Sequence, residues 1–263
     1  KQLQSNSTGA ETTVSQLTSF DSDGFTINGP SDHGSGTNIV DWAWKAGGSG
    51  SANTDGDINS TVSVNQTAGF SIESYTGSGT TTYRFGHGLG TTPDLIILKN
   101  RDSGSAGWIV HHSSLSSNYG LQLQATSAQF NSTGQGHIGT VGSSTFGFVA
   151  GSSGNDQVND SSDKYIAYCF AGKTGYSKFG TYKANDQDGD NSPFVYTGFK
   201  PKFLLIKNII DSSASSDWVI ADYKRPGYNI VNKKLFANES QAESTDEIVD
   251  ILSTGFKLEN STT

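Results

Sequence analysis

The chain has no methionine, a single cysteine and only 5 prolines among its 263 residues. With one cysteine, Cys169, neither an internal disulfide nor a cysteine-based zinc site can form. Cys169 lies in the apolar run Tyr165-Ile-Ala-Tyr-Cys-Phe-Ala171, where a thiol behaves as a small core hydrophobe rather than a nucleophile. Charge is also sparse. The 16% charged and 33% hydrophobic residues fall below the roughly 25% and 45–50% of ordinary domains, a balance that fits thin sandwiches joined by long polar loops. No run of 18 apolar residues exists and residues 1–20 contain no signal-peptide core, so neither a spanning helix nor an export signal is expected. The missing initiator methionine reads as an excised or processed piece of a longer polypeptide. A net charge of −8 repels phosphate backbones and anionic headgroups, so neither nucleic acid nor membrane insertion is expected.

Glycine, at 32 residues, is plentiful, and so is internal repetition. Thr92-Pro-Asp-Leu-Ile-Ile-Leu-Lys-Asn100 recurs as Lys200-Pro-Lys-Phe-Leu-Leu-Ile-Lys-Asn208, which puts Pro93 and Pro201 108 positions apart. A polar loop and a tryptophan follow each, Trp108 and Trp218. Gly24-Phe25, Gly147-Phe148 and Gly255-Phe256 each close a Ser/Thr-rich stretch. Matching aromatic strands, Ile39-Val-Asp-Trp-Ala-Trp44 and Tyr165-Ile-Ala-Tyr-Cys-Phe170, follow the first two only, and Leu3-Gln-Ser-Asn-Ser-Thr-Gly-Ala10 aligns with Leu235-Phe-Ala-Asn-Glu-Ser-Gln-Ala242.

The expected organisation is the C-terminal half of a preceding module at 1–47, a flexible Gly/Ser/Asn/Asp linker at 48–60, a complete module at 61–173 and a second at 174–263 that lacks its closing strand. The half-module is placed to swap into, or pair with, the unfinished one. Short Val, Ile, Phe, Tyr and Thr runs bounded by Gly, Asn, Asp and Ser predict an all-β fold of tandem β-sandwich, jelly-roll-like modules with long polar loops. Leu95–Leu98 and Phe203–Ile206 read as central strands buried on both faces. Glu11–Leu17 and Gln241–Leu252 approach helical spacing through residues such as Glu243, Glu247, Ile248 and Ile251, and predict short turns or single helices at most.

The blocks Gly69-Phe-Ser-Ile72, Gly86-His-Gly-Leu-Gly-Thr-Thr-Pro-Asp-Leu-Ile-Ile-Leu-Lys-Asn-Arg-Asp102, Trp108-Ile-Val-His-His112, Tyr165–Ala171 and Phe194-Val-Tyr-Thr-Gly-Phe-Lys-Pro201 together resemble a repeated, uncharacterised domain of tail-fibre and virion-associated proteins of marine phages, including those of cyanobacteria. The resemblance covers nearly the whole chain. It implies a structural and adhesive segment of a phage tail, located in the virion and outside the cell. It further implies a homotrimer, other virion tail proteins as partners, a host-surface glycan or protein as target, and no catalytic residues.

Candidate sites are few. Tyr119, Tyr223 and Tyr228, near Arg225 and Asn229, form a candidate sugar platform, since glycans bind through aromatic faces and amides together. Asp186, Asp188 and Asp190 alternate like a calcium loop but lack the bidentate glutamate and flanking helices of an EF-hand, so no cofactor is expected beyond a possible Ca2+. His87 sits in a glycine turn with no helix after it, which favours a hydrogen-bonded turn over an anion cradle. His111 and His112, adjacent on a strand, point to opposite faces and do not chelate together. Trp108 and Trp218 recur at equivalent places and read as core, whereas Trp42 and Trp44 fit either core or sugar stacking. No Gly-x-Ser-x-Gly elbow occurs between a strand and a helix, so no enzyme is expected. The rival readings are a carbohydrate-binding module of a marine bacterial surface protein or polysaccharide-degrading enzyme, and a fibre depolymerase with two carboxylates across a groove.

Overall fold

In chain order the strands are β1 (Leu17–Phe20), β2 (Phe25–Ile27), β3 (Ser51–Asn53), β4 (Ser60–Asn65), β5 (Phe70–Thr76), β6 (Arg84–Gly86), β7 (Leu95–Asn100), β8 (Trp108–His112), β9 (Tyr119–Gln122) and β10 (Phe130–Asn131). They continue with β11 (His137–Val141), β12 (Thr145–Val149), β13 (Lys164–Phe170), β14 (Phe194–Tyr196), β15 (Phe203–Ile206), β16 (Val219–Asp222), β17 (Val231–Phe236), β18 (Ser244–Leu252) and β19 (Gly255–Leu258). This computed structural model describes residues 1–263 except 15, 29–35, 37, 81, 132–135, 150–156, 186–190, 213–215, 228 and 260–263. Among the described residues there is no α-helix, and the protein is all-β and of sandwich type.

β1 and β2 form a separate hairpin. The other strands form an eight-stranded sheet in the order β10-β9-β8-β7-β13-β5-β4-β3, a three-stranded sheet β11-β12-β6 and a six-stranded sheet β14-β19-β18-β17-β16-β15. The two-residue period of a strand sorts side chains between faces. On β13, Tyr165, Ala167 and Cys169 are buried while the residues between them are half-buried. They meet Phe85, Ile138, Phe146 and Phe148 of the three-stranded sheet, together with Ile96 and Leu98 of β7. The Tyr75 and Tyr165 rings stack within this core at 5.0 Å and 6°. In the second module β17 pairs directly with β18, so the strands that form two sheets in the first module curl here as one sheet around Val219, Ile248, Ile251 and Phe256.

Three expectations are corrected. Phe203–Ile206 is an edge strand, because β15 has β16 on one side and, among the described residues, no strand equivalent to β13 on the other; β7, in contrast, lies between β8 and β13. The stretch within 241–252 that approaches helical spacing is instead β18, whose Val249, Asp250, Ile251 and Leu252 pair with β19; tertiary pairing overrides a weak helical period. The segment 48–60 is not free coil, since β3 pairs with β4. Close approach of the backbone holds it at both ends: a Cβ on Gly47, just before it, would stand 2.1 Å from Val64 O, and one on Gly56 2.3 Å from Arg84 O. Ser63 Oγ and Asn65 Nδ2 then tie the segment down through Gly48 O (2.6 Å) and Lys45 O (3.1 Å). Gly47→Ala is expected to lift this segment from β4 at a cost of about 1–3 kcal/mol. Hydrogen exchange at residues 48–53 should accelerate in the variant, and unchanged exchange would refute the close-packing role.

The modules join in a repeated way. β8 pairs with β9 as β16 pairs with β17, with Ile109 opposite Gln122 and Val219 opposite Phe236. The Trp108 N–H reaches Gln124 Oε1 and the Trp218 N–H reaches Asn238 Oδ1, each at 2.8 Å, which aligns position 124 with 238 and so 122 with 236. Both indoles then cross to the module before. Trp108 Nε1 donates to Gln4 O at 2.9 Å, and Trp218 Nε1 donates to Gln122 O at 2.8 Å. Lys99 Nζ donates to Thr8 O at 3.1 Å as Lys207 Nζ does to Thr126 O at 3.0 Å. The Glu11 N–H donates to Arg101 O at 2.7 Å as the Gln129 N–H does to Ile209 O at 3.0 Å. Lys99 is fully buried, and burial lowers its pKa to about 8. Trp108 and Trp218 share one apolar cluster with Leu121, Leu123 and Ala237, so each junction combines apolar burial with hydrogen bonds to main-chain groups.

Candidate functional site

The polar surface with the most organised chemistry lies at the end of β16. Asp222 is buried and accepts the N–H groups of Lys224 (2.9 Å) and Arg225 (3.1 Å) on one carboxylate oxygen and Arg225 Nε (2.7 Å) on the other. Burial pushes the Asp222 carboxyl up, but the Arg225 hydrogen bonds and charge, with the Lys224 N–H, outweigh it and leave the pKa below its ordinary value. Arg225 also donates to Glu243 at 2.8 Å and to Ile220 O at 3.3 Å, and its guanidinium lies 6.0 Å from the Trp42 ring. It is a structural tie whose donors are already engaged.

The turn that Asp222 holds presents Tyr223. The ammonium groups of Lys224, Lys200 and Lys202 lie 5.3, 5.7 and 5.9 Å from its ring centroid. Three cations around one half-buried aromatic face make a local positive patch on a chain of net charge −8, suited to a ligand that carries both an apolar face and an anionic group. The sequence alone does not single out these lysines. Its one signal is that Lys200 and Lys202 alternate at the two-residue period that places side chains on one face of an extended segment.

The remaining candidates separate. Tyr119 opens β9, opposite Asn131 of β10, in the eight-stranded sheet, so it does not share a sheet with Tyr223. Asn229 spends its amide on the backbone of Ile251, donating to its O at 2.8 Å and accepting its N–H at 3.1 Å. Tyr228 and the aspartates Asp186, Asp188 and Asp190 lie outside the described residues. Among the described residues no three His, Cys, Asp or Glu side chains converge as metal ligands.

Trp42 and Trp44 both reach Phe203 edge-on, with centroids at 5.6 and 5.5 Å. Trp44 is half exposed and, with Phe70, Phe170, Tyr176 and Phe179, lines a cleft of about 50 Å³. That volume admits a water or two rather than a sugar ring, so a sugar would meet only the rim, where Tyr176 is 62% exposed. His87, His111 and His137 are buried. His87 is fully buried, accepts the Leu89 N–H on Nδ1 at 3.2 Å and therefore carries its proton on Nε2, 3.1 Å from Gly142 O. Burial is the main cause that lowers the His111 pKa to about 4, followed by the charges of His112 and His137. Cys169 is buried and its thiol pKa is raised by burial, the opposite of an activated nucleophile.

The arrangement defines an all-β protein of repeated modules joined by like contacts. The model of the family described as Domain of unknown function (DUF7483) matches residues 1–263, and the chain belongs to that family. No curated protein and no solved structure matches it.

Proposed function

We propose that the chain is a structural and adhesive segment of a phage tail fibre or tail-associated virion protein, holding surface loops out toward a host. The observation that carries this reading is the junction made twice with the same three contacts. A contact that repeats in register fixes each module against the last, which is what an extended spacer requires. Adhesion then comes from weak contacts multiplied over copies through effective concentration. In this reading the lysine-ringed Tyr223 meets a host glycan bearing an acidic group, the chain works as a homotrimer beside other virion tail proteins, and it performs no catalysis and needs no cofactor.

Light scattering combined with negative-stain electron microscopy of the chain tests it. An elongated trimer is the expected outcome. A compact monomer that binds glycans on an array would overturn the fibre reading in favour of a carbohydrate-binding module, for which the exposed rim of Trp44 and Tyr176 is the supporting feature.

A further inference from the structure

Each junction has a donor edge, formed by the tryptophan indole, the lysine ammonium and a carbonyl, and an acceptor edge on the module before it. The acceptor edges are Gln4, Thr8 and Glu11 in the half-module at 1–47 and Gln122, Thr126 and Gln129 in the first complete module. The spacing is the same in both. Aligning position 238 with 124 carries the pattern into the second module as Phe236, Ser240 and Glu243. The middle position is a hydroxyl residue each time, Thr8, Thr126 and Ser240. No described side chain donates to the carbonyl of Phe236 or Ser240. Burial separates the three cases: residues 7–10 and 125–128 are half-buried under the next module, whereas 239–242 are exposed throughout.

We infer that the edge formed by Phe236, Ser240 and Glu243 is a docking surface for a further module of this kind, one whose own donor edge is free. The occupant is specified by chemistry. It must bring a strand ending in Lys-Asn and a tryptophan on the neighbouring strand, the pair seen at Lys99-Asn100 with Trp108 and at Lys207-Asn208 with Trp218. The Trp indole would reach Phe236 O, the ammonium Ser240 O, and the Glu243 N–H the carbonyl two residues after that lysine. Such an interface is head-to-tail, and an interface of that type propagates while a donor edge remains available. Within this chain both donor edges are engaged, the first by residues 1–14, which act as its plug. The inference stands on the repeated contacts alone and is independent of the particle to which the chain belongs.

The plug can be released in two ways. Residues 1–14 contribute nothing to the two main cores and only Leu3 to the cluster around Trp108, so a chain lacking them is expected to keep its fold and to free Lys99 and Trp108. In the intact chain of 263 residues, Glu11→Arg replaces the 2.7 Å Glu11–Arg101 ion pair with two like charges and frees the same edge. Sedimentation velocity on each donor, compared with the intact chain, is the measurement. Either donor should associate further, with an apparent Kd at least about tenfold tighter than that of the intact chain. Ser240→Lys, which sets a cation beside the arriving ammonium, should reverse that gain, and so should Trp108→Phe, which removes the indole N–H. No added association of either donor at ~100 µM, where contacts of this strength are populated, would overturn the inference. So would association that Ser240→Lys leaves unchanged. Because the readout is a difference from the intact chain, it holds whether or not that chain is a trimer.

Discussion

Phe85→Ala is expected to lower the unfolding free energy of the module that carries it by about 3–5 kcal/mol. Phe85 is fully buried on the short strand β6, between β12 and the bridge to Ile58. Its ring lies 3.9 Å from that of Tyr75 and 5.5 Å from that of Phe148, so truncation leaves a void walled by aromatic groups that cannot collapse without breaking the Tyr75–Tyr165 stack. Thermal unfolding checks it, with a midpoint lowered by roughly 6–20 °C at about 2–4 °C per kcal/mol. If the modules unfold separately, only one of two transitions should move. A midpoint within ~2 °C of the parent, less than 1 kcal/mol by the same scale, would show that the small sheet does not depend on this ring.

Glu73→Gln is expected to change how stability varies with pH. Glu73 is fully buried between Val62 and Ala167, and neither carboxyl oxygen has a hydrogen-bond partner. Burial raises its pKa well above 4.5. Neighbouring Ser60, whose hydroxyl donates to Gly86 O at 2.9 Å, lowers it by less than burial raises it. A carboxyl whose folded pKa is raised favours folding while it stays protonated. Its contribution is complete below pH 4.5 and is lost as pH climbs toward the folded pKa, at about 1.4 kcal/mol per pH unit. Buried His111 works in the opposite direction. Its depressed pKa of about 4 against an ordinary 6.5 supplies stability above pH 6.5 that drains as the pH falls to 4. The two slopes therefore oppose each other above pH 4.5, and above pH 6.5 the His111 contribution no longer changes. Urea unfolding at pH 5 and pH 8 should therefore show the E73Q variant gaining on the parent between the two. A difference that stays constant with pH would mean that Glu73 is not held protonated.

Much of the fold was readable because the repeat is carried by side chains with strong preferences. The recurring Pro-x-apolar-Lys-Asn blocks mark β7 and β15, and the recurring tryptophans mark the ends of β8 and β16. The hidden parts have identifiable causes. β15 carries the same apolar run as β7, but whether a strand is central depends on its neighbour, and apolarity alone does not report that. Residues 48–60 have the composition of a flexible linker, yet the lack of a Cβ on Gly47, just before them, permits contact with Val64, and that on Gly56 permits contact with Arg84. In β18 the charged residues fall near helical spacing by coincidence, and pairing with β17 and β19 decides the matter. The candidate platform was legible in part. Tyr223 and Arg225 are two residues apart, but Arg225 is spent on Asp222 and Glu243, and the cations beside Tyr223 are lysines contributed partly by the segment before β15. The junctions left the faintest trace in the sequence, since one side of each is main chain.

That last property divides evolutionary freedom unequally between the two sides of a junction. A carbonyl oxygen is supplied by any residue, and positions 4, 122 and 236 are Gln, Gln and Phe, so an acceptor edge can change its side chains without losing its role. The donor side has no such latitude, for only an indole and an ammonium reach across. Modules built on this plan can be shuffled, duplicated or exchanged between chains while their exposed loops diversify, because the joint asks for the shape of the backbone on one side and for two particular side chains on the other.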